Sequence, residues 1–215
     1  MKQKSLWAFI AASALCLCLV YAEVSAPVTA ANIRETDSEI KVLIGSSENM
    51  SAAALKRYSD SQEAALSRFA ETEPESVGSA LVAFNRFLTV EETEQLIDGA
   101  RASTVYLWVP NQQGRAIIDV QNNDIQASID DFFCSIGLPQ QPASDMKDSL
   151  LDLEKNYSIF ALEMDDQYSR LQGLAGSDTV ARLDLLYSQE AVQRASATGK
   201  TVSYICLPDK PDGTL

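Results

Sequence analysis

Twice in this chain an apolar stretch of strand length is followed by a short helical pattern and then by a second strand-like stretch. That repeat restricts the fold more than any other feature. The first unit runs from "SALVAF" (79–84) through "TVEETEQLIDGA" (89–100) to "TVYLWV" (104–109), with Val90, Leu96, Ile97 and Ala100 on or near one helical face. The second runs from "YSIFALEM" (157–164) through "DDQYSRLQGLAG" (165–176) to "TVARLDLLY" (179–187), with Tyr168, Leu171, Leu174 and Ala175 on one side of its helix. Between the units, a turn at "PNQQG" leads into "RAIIDV" (115–120) and predicts a hairpin, followed by helices near Asp124–Cys134 and Ala143–Lys155. A short helix, "SQEAVQRASA" (188–197), and a strand, "TVSYICL" (201–207), close the pattern.

These elements predict an α+β domain over residues 77–215, with an antiparallel or mixed sheet built from two βαβ units, ferredoxin-like with additions and helices covering one face. In "ARLDLLY", Arg182 and Asp184 alternate with Leu183 and Leu185, which predicts that the other face of the sheet meets water. A long amphipathic helix over residues 47–73 is expected before the domain, with Leu55, Tyr58, Ala65 and Phe69 near a 3.6-residue period and Pro74 as its stop. Residues 23–46 begin small, polar and aperiodic, and read as a stalk.

At the start of the chain, Lys2 and Lys4 precede an uncharged run from Leu6 to Ala22, so residues 1–22 read as a signal peptide or signal anchor. Seventeen residues lie between a long signal core and the roughly 18 to 20 that comfortably span a bilayer, and both fates stay open. In either case the rest of the chain is expected to be extracytoplasmic, anchored in the cell membrane through this segment or secreted. With Lys2, Lys4 and Glu23 set aside, the remainder carries 15 basic and 29 acidic residues, a net charge of −14. Such a balance argues against nucleic acid and against docking on anionic lipid, both of which need clustered Lys and Arg. Cys16 and Cys18 lie inside the apolar run, whereas Cys134 and Cys206 lie outside it, where a Cys134–Cys206 disulfide and two unpaired thiols are both open readings.

The stretches "ALVAFNRFLTVEETEQLI", "TVYLWVP" and "YSIFALEMDDQYSRLQGLAGSDTVARLDLLY" resemble the extracytoplasmic sensory domain of bacterial sigma-factor regulators, the membrane-bound anti-sigma proteins, over roughly residues 79 to 187. Members of that family carry a cytoplasmic sigma-binding domain before the membrane segment. Only Met1–Ser5 precede the apolar run here, so a sigma-binding function is not expected. The resemblance implies an outward-facing binding or sensing module for another extracytoplasmic protein or an envelope component.

Side-chain chemistry points the same way. The chain has no histidine, which removes Ser-His-Asp and Cys-His catalysis and His-based zinc sites, and no phosphate-binding or dinucleotide motif is present. No cofactor is expected, and an enzyme is not the reading we favour. Thr89 and Glu92 are spaced as a capping box, and Asp165 is placed as the N-cap of the second unit's helix. Asn85 and Arg86 are then loop residues at a strand end, the candidate binding loop. The oxygens of Asp119, Gln121, Asn123 and Asp130 approach a calcium-loop rhythm, but Asp124 stands where that loop needs glycine, and a turn in which Asp124 starts a helix is the simpler reading. Trp108 and Tyr106 share a strand face and read as core. Two alternatives remain: an envelope hydrolase using a carboxylate pair such as Glu91 and Asp165, and a structural surface protein.

Overall fold

A computed structural model describes residues 33–45, 51–109, 114–135, 157–209 and 211. The expected signal segment and the helix expected at Ala143–Lys155 lie outside the described residues. The elements in chain order are β1 (Ile33–Glu35), β2 (Glu39–Ile44), α1 (Ala52–Thr72), β3 (Val77–Leu88), α2 (Val90–Ile97), β4 (Arg101–Val109), β5 (Gly114–Asp119), α3 (Ile125–Ser135), β6 (Ser158–Gln167), α4 (Tyr168–Ala175), β7 (Val180–Leu185), α5 (Gln189–Thr198) and β8 (Thr201–Cys206). The fold is α+β, with a five-stranded sheet ordered β5-β4-β6-β3-β7 and a three-stranded sheet ordered β1-β2-β8.

All pairings in the larger sheet are antiparallel. Each strand–helix–strand unit, β3-α2-β4 and β6-α4-β7, has a strand of the other unit inserted between its own two strands. The centre of the sheet therefore belongs to β3 and β6, in register from Val77↔Gln167 to Ala83↔Ala161. Ala80 through Phe84 and Ile159 through Leu162 are buried at every position, on both faces of the pleat. This explains the unbroken apolar runs, since alternation disappears where a strand is covered on both sides. Burying each of the Phe84 and Phe160 side chains stabilises the fold by roughly 1.5–3 kcal/mol.

One face of this sheet packs with α1, α2, α3 and α4 through Leu66, Ile97, Ile129, Phe133 and Leu171. The other face does not meet water, contrary to expectation. There Leu81, Tyr106 and Phe160 form a second core with Ile40, Val42 and Ile44 of β2 and Ala191 and Ala195 of α5. Residues 33–44, read above as part of a stalk, thus form two strands, and β2 pairs in parallel with β8 from Glu39↔Thr201 to Ile44↔Cys206. The alternation in "EIKVLI" is what makes this segment a strand: its three buried aliphatic residues share a single face.

Helix α1 starts at Ser51, whose hydroxyl accepts from Ala54 N–H at 3.2 Å. Its buried stripe is Tyr58, Gln62 and Leu66, while Phe69 stacks on Tyr168 at 4.7 Å. Gln62 is polar and so escapes an apolar count, yet its side-chain oxygen accepts from Leu185 N–H at 2.9 Å and ties the helix to the edge strand β7. Gly78 lets Tyr168 lie directly against β3, because a β-carbon there would meet its ring.

The polar side of β7 is also covered. Asp184 is fully buried and pairs with Arg182 at 2.8 Å, and Arg182 donates in addition to the Gly45 carbonyl and lies 3.6 Å from Asp209. Alternation reveals that a strand has two unlike faces, not what covers the second. Here the cover is the Gly45 turn and the C-terminal segment, with the Tyr58 ring 5.9 Å from the Arg182 guanidinium. Burial and, after it, the neighbouring Asp184 carboxylate push the Tyr58 hydroxyl well above its ordinary value of 10.0.

Burial pushes the Asp184 carboxyl above its ordinary value of 3.8, against the pull of Arg182. Its folded value exceeds its unfolded one, so its contribution to stability is complete below 3.8 and is lost as pH rises through the folded value. Asp184→Asn should remove this term: in urea unfolding, the variant gains on the native chain as pH is raised from the acid side to neutrality. Asp184→Ala, which leaves Arg182 short of its buried partner, should cost up to about 3–5 kcal/mol.

Candidate functional site

The junction from β3 to α2 is built from four residues named by the sequence. Thr89 is the N-cap of α2: its hydroxyl accepts from Glu92 N–H at 3.2 Å, and a Glu92 carboxylate oxygen accepts from Thr89 N–H at 3.0 Å. The other Glu92 oxygen pairs with Arg86 at 3.0 Å. Arg86 and Asn85 do not form a loop, as expected above, because β3 continues to Leu88. Asn85 extends the sheet instead: its N–H reaches Thr179 O at 3.0 Å and its side-chain amide bonds to Asp178 O. All four residues are occupied in closing a strand and starting a helix.

Asp165 is a second correction. It lies within β6, where it accepts from the Ser79 hydroxyl on β3. Helix α4 begins at Tyr168, and its N-cap Gln167 makes no side-chain capping bond. The strand simply runs longer than its apolar stretch, since pairing of Gly78 with Asp166 and Val77 with Gln167 holds those residues in the sheet. Glu91, the other half of the carboxylate pair considered above, accepts from Gln95 one turn along its own helix. The "QNND" turn behaves as the simpler reading had it: Asp124 caps α3 through Ala127 N–H at 2.8 Å, and Asn123 bonds to Ala102 N–H and Ala100 O. Asn122 and Asn123 both adopt positive φ, at 54° and 60°, a conformation asparagine tolerates. Among the described residues, no cluster of carboxylates and thiols could hold a metal ion, and no helix is long and apolar enough to cross a membrane.

Both described cysteines are free. The larger sheet stands between them: Cys134 is exposed near the end of α3 on the helical side, while Cys206 packs against the second core on the other side. Burial pushes the Cys206 thiol up, reinforced by Glu163, which also accepts from the Tyr106 hydroxyl. A thiol kept protonated at neutral pH is in the wrong state for a nucleophile.

A concave feature among the described residues is a notch of about 200 Å³ between the end of α2 and α4. Leu96, Met164 and Leu174 supply its apolar surface, and Asp166 and Arg170 its polar rim. Arg170 pairs with Asp166 at 3.2 Å and donates to the Asp98 and Ile97 carbonyls. It thus caps the C-terminus of α2, where unpaired carbonyls and the helix dipole favour a cation. No motif marks this site in the sequence, because the six lining residues come from three elements that meet only in the fold. Chemically it offers a small apolar recess beside the Arg170 side chain, which is about half exposed (46%).

Comparison with protein-family models, curated proteins and solved structures finds no match.

Two outcomes test the site chemistry. Hydrogen bonding from Arg86, and then from Thr89 N–H, holds the Glu92 carboxyl below its ordinary 4.5, so the stability it contributes is present above 4.5 and lost as pH falls through the lowered value. Thr89→Ala should cost about 0.5–2 kcal/mol in chemical denaturation, with Glu92→Gln milder, since Gln can still return the bond to Thr89. In mass mapping after brief alkylation of the native chain, Cys134 should label rapidly and Cys206 slowly; a Cys134–Cys206 crosslinked peptide would contradict the separation by the sheet.

Proposed function

We propose that this chain is an extracytoplasmic binding or sensing module, membrane-tethered or secreted, whose partner is another protein or a cell-envelope component. The observation that carries the reading is the notch between α2 and α4, an apolar recess rimmed by Arg170 and Asp166 and sized for one inserted side chain. It is supported by the export-like first 22 residues and by the acidic character of the remainder. The polar groups at the β3–α2 junction are committed to structure, so the more prominent motif leaves no spare chemistry for a reaction.

The interleaved strand order β7-β3-β6-β4 supports the finer proposal that the domain is ferredoxin-like, with β5, α3 and the three-stranded sheet as additions. The resemblance to sensory domains of sigma-factor regulators enters on the same footing, as an outward-facing module.

The test is crosslinking in intact envelopes. The native chain should capture a specific partner, and Leu174→Arg or Arg170→Glu should lose it, while Thr89→Ala retains it below its melting transition. Turnover of wall polymers by the purified chain, abolished by Glu91→Gln, would overturn the reading in favour of a hydrolase.

A further inference from the structure

Strand β5 is an outer strand of the larger sheet, and among the described residues only β4 pairs with it. The direction of its free backbone groups follows from one bond. Val120 N–H donates to Ser103 O at 2.8 Å, and the register of β4 with β5 is unbroken from Thr104↔Asp119 to Val109↔Gly114. Antiparallel pairs alternate between bonded and non-bonded, so Ile118 and Ala116 face β4 with their N–H and C=O groups. The corresponding groups of Arg115, Ile117 and Asp119 point outward, away from the sheet. The side chains of these three residues are exposed on one face, with Ile117 at 57%.

We infer that β5 pairs antiparallel with β5 of a second copy of this chain, about a two-fold axis at Ile117. This register is self-complementary in both backbone and side chains. It opposes Ile117 to its own copy and Arg115 to Asp119 of the other copy, twice over by symmetry. Each of these pairs exchanges both backbone hydrogen bonds, because the outward groups belong to these same three residues. A cation opposite an anion favours the pairing, where like charges directly opposed would disfavour it. Slipping by two residues opposes Arg115 to Ile117 or Ile117 to Asp119 and loses the match. Among the described residues Asp119 has no ion-pair partner within its own chain, whereas Arg115 already lies over the Phe160 ring and donates to Pro208 O at 3.1 Å. The guanidinium therefore points inward across the sheet toward β6, and pairing with the second Asp119 requires it to exchange the Pro208 carbonyl for that carboxylate at the strand edge. The result is a continuous sheet across two copies, joined at a strand edge that has no second partner among the described residues and exposes an isoleucine.

The full chain in mild detergent should have the mass of a dimer by light scattering at roughly tens of micromolar, a range in which modest specific association is visible. Ile117→Lys, which sets two ammonium groups against each other at the axis, should convert it to a folded monomer whose melting temperature, unlike that of the native chain, does not rise with protein concentration. Arg115→Asp and Asp119→Arg should each be monomeric alone, yet form a heterodimer when mixed, since their charges then oppose correctly at both positions. A native chain that stays monomeric, a dimer indifferent to Ile117→Lys, or folded single variants that fail to associate on mixing would each overturn the inference.

Discussion

The structure depends on the pairing of β3 with β6. These two strands are buried on both faces, and each core of the protein is packed on one side of them. The helical layer needs Ala80, Val82 and Phe84 on one face, and the three-stranded sheet needs Leu81, Ala83 and Phe160 on the other. A register slip of one residue would exchange the two sets and mismatch both layers at once. Such a strand pair is strongly specified. It also sets the position of everything carried at its ends: the junction with α2, the Asp165–Ser79 contact and the notch beside Met164.

Two kinds of polar contact finish the fold, and they act in different places. At the rim, the Thr89–Glu92 box with Arg86 stops a strand and starts a helix in exposed surroundings, where each contact is modest and screened by solvent. In the interior, Arg182 and Asp184 join β7 to the Gly45 turn and to Asp209, drawing together segments from the beginning and end of the described chain. Buried pairs of this sort are costly to desolvate and costly to break, so removing one partner costs more than the intact pair contributes to net stability. The C-terminal segment is held in addition by Arg115 through Pro208 O and by Leu207 N–H on Ile44 O. Leu207 and Pro208 are therefore part of the second layer.

The functional reading rests on where polar chemistry is left unspent. The most conspicuous motif in the sequence, the polar junction after "SALVAF", is fully engaged in structure. The notch has no sequence signature at all, because Leu96, Met164 and Arg170 are ordinary residues until α2, β6 and α4 place them side by side. Arg170 serves the end of α2 while its side chain stays about half exposed at the rim of the notch, a position that a linear reading does not reveal.

The amino-acid sequence by itself determined the α+β class, the two strand–helix–strand units, the hairpin of β4 with β5 and the capping box at Thr89. All of these arise from interactions spanning a few residues, in which periodicity, breakers and cap spacing carry the signal. Tertiary structure alone decided the rest. It drew residues 33–44 out of an apparent stalk into a sheet, because β2 is completed by β8, more than 150 residues further along the chain. It buried Asp184 and Gln62, which an apolar count passes over, and it extended β6 through Asp165, since pairing with β3 outweighed the local preference of an aspartate for a helix start. It placed Cys134 and Cys206 on opposite sides of the larger sheet. In each case the deciding contact joins residues far apart in sequence, and no local pattern records which partner will cover a given face.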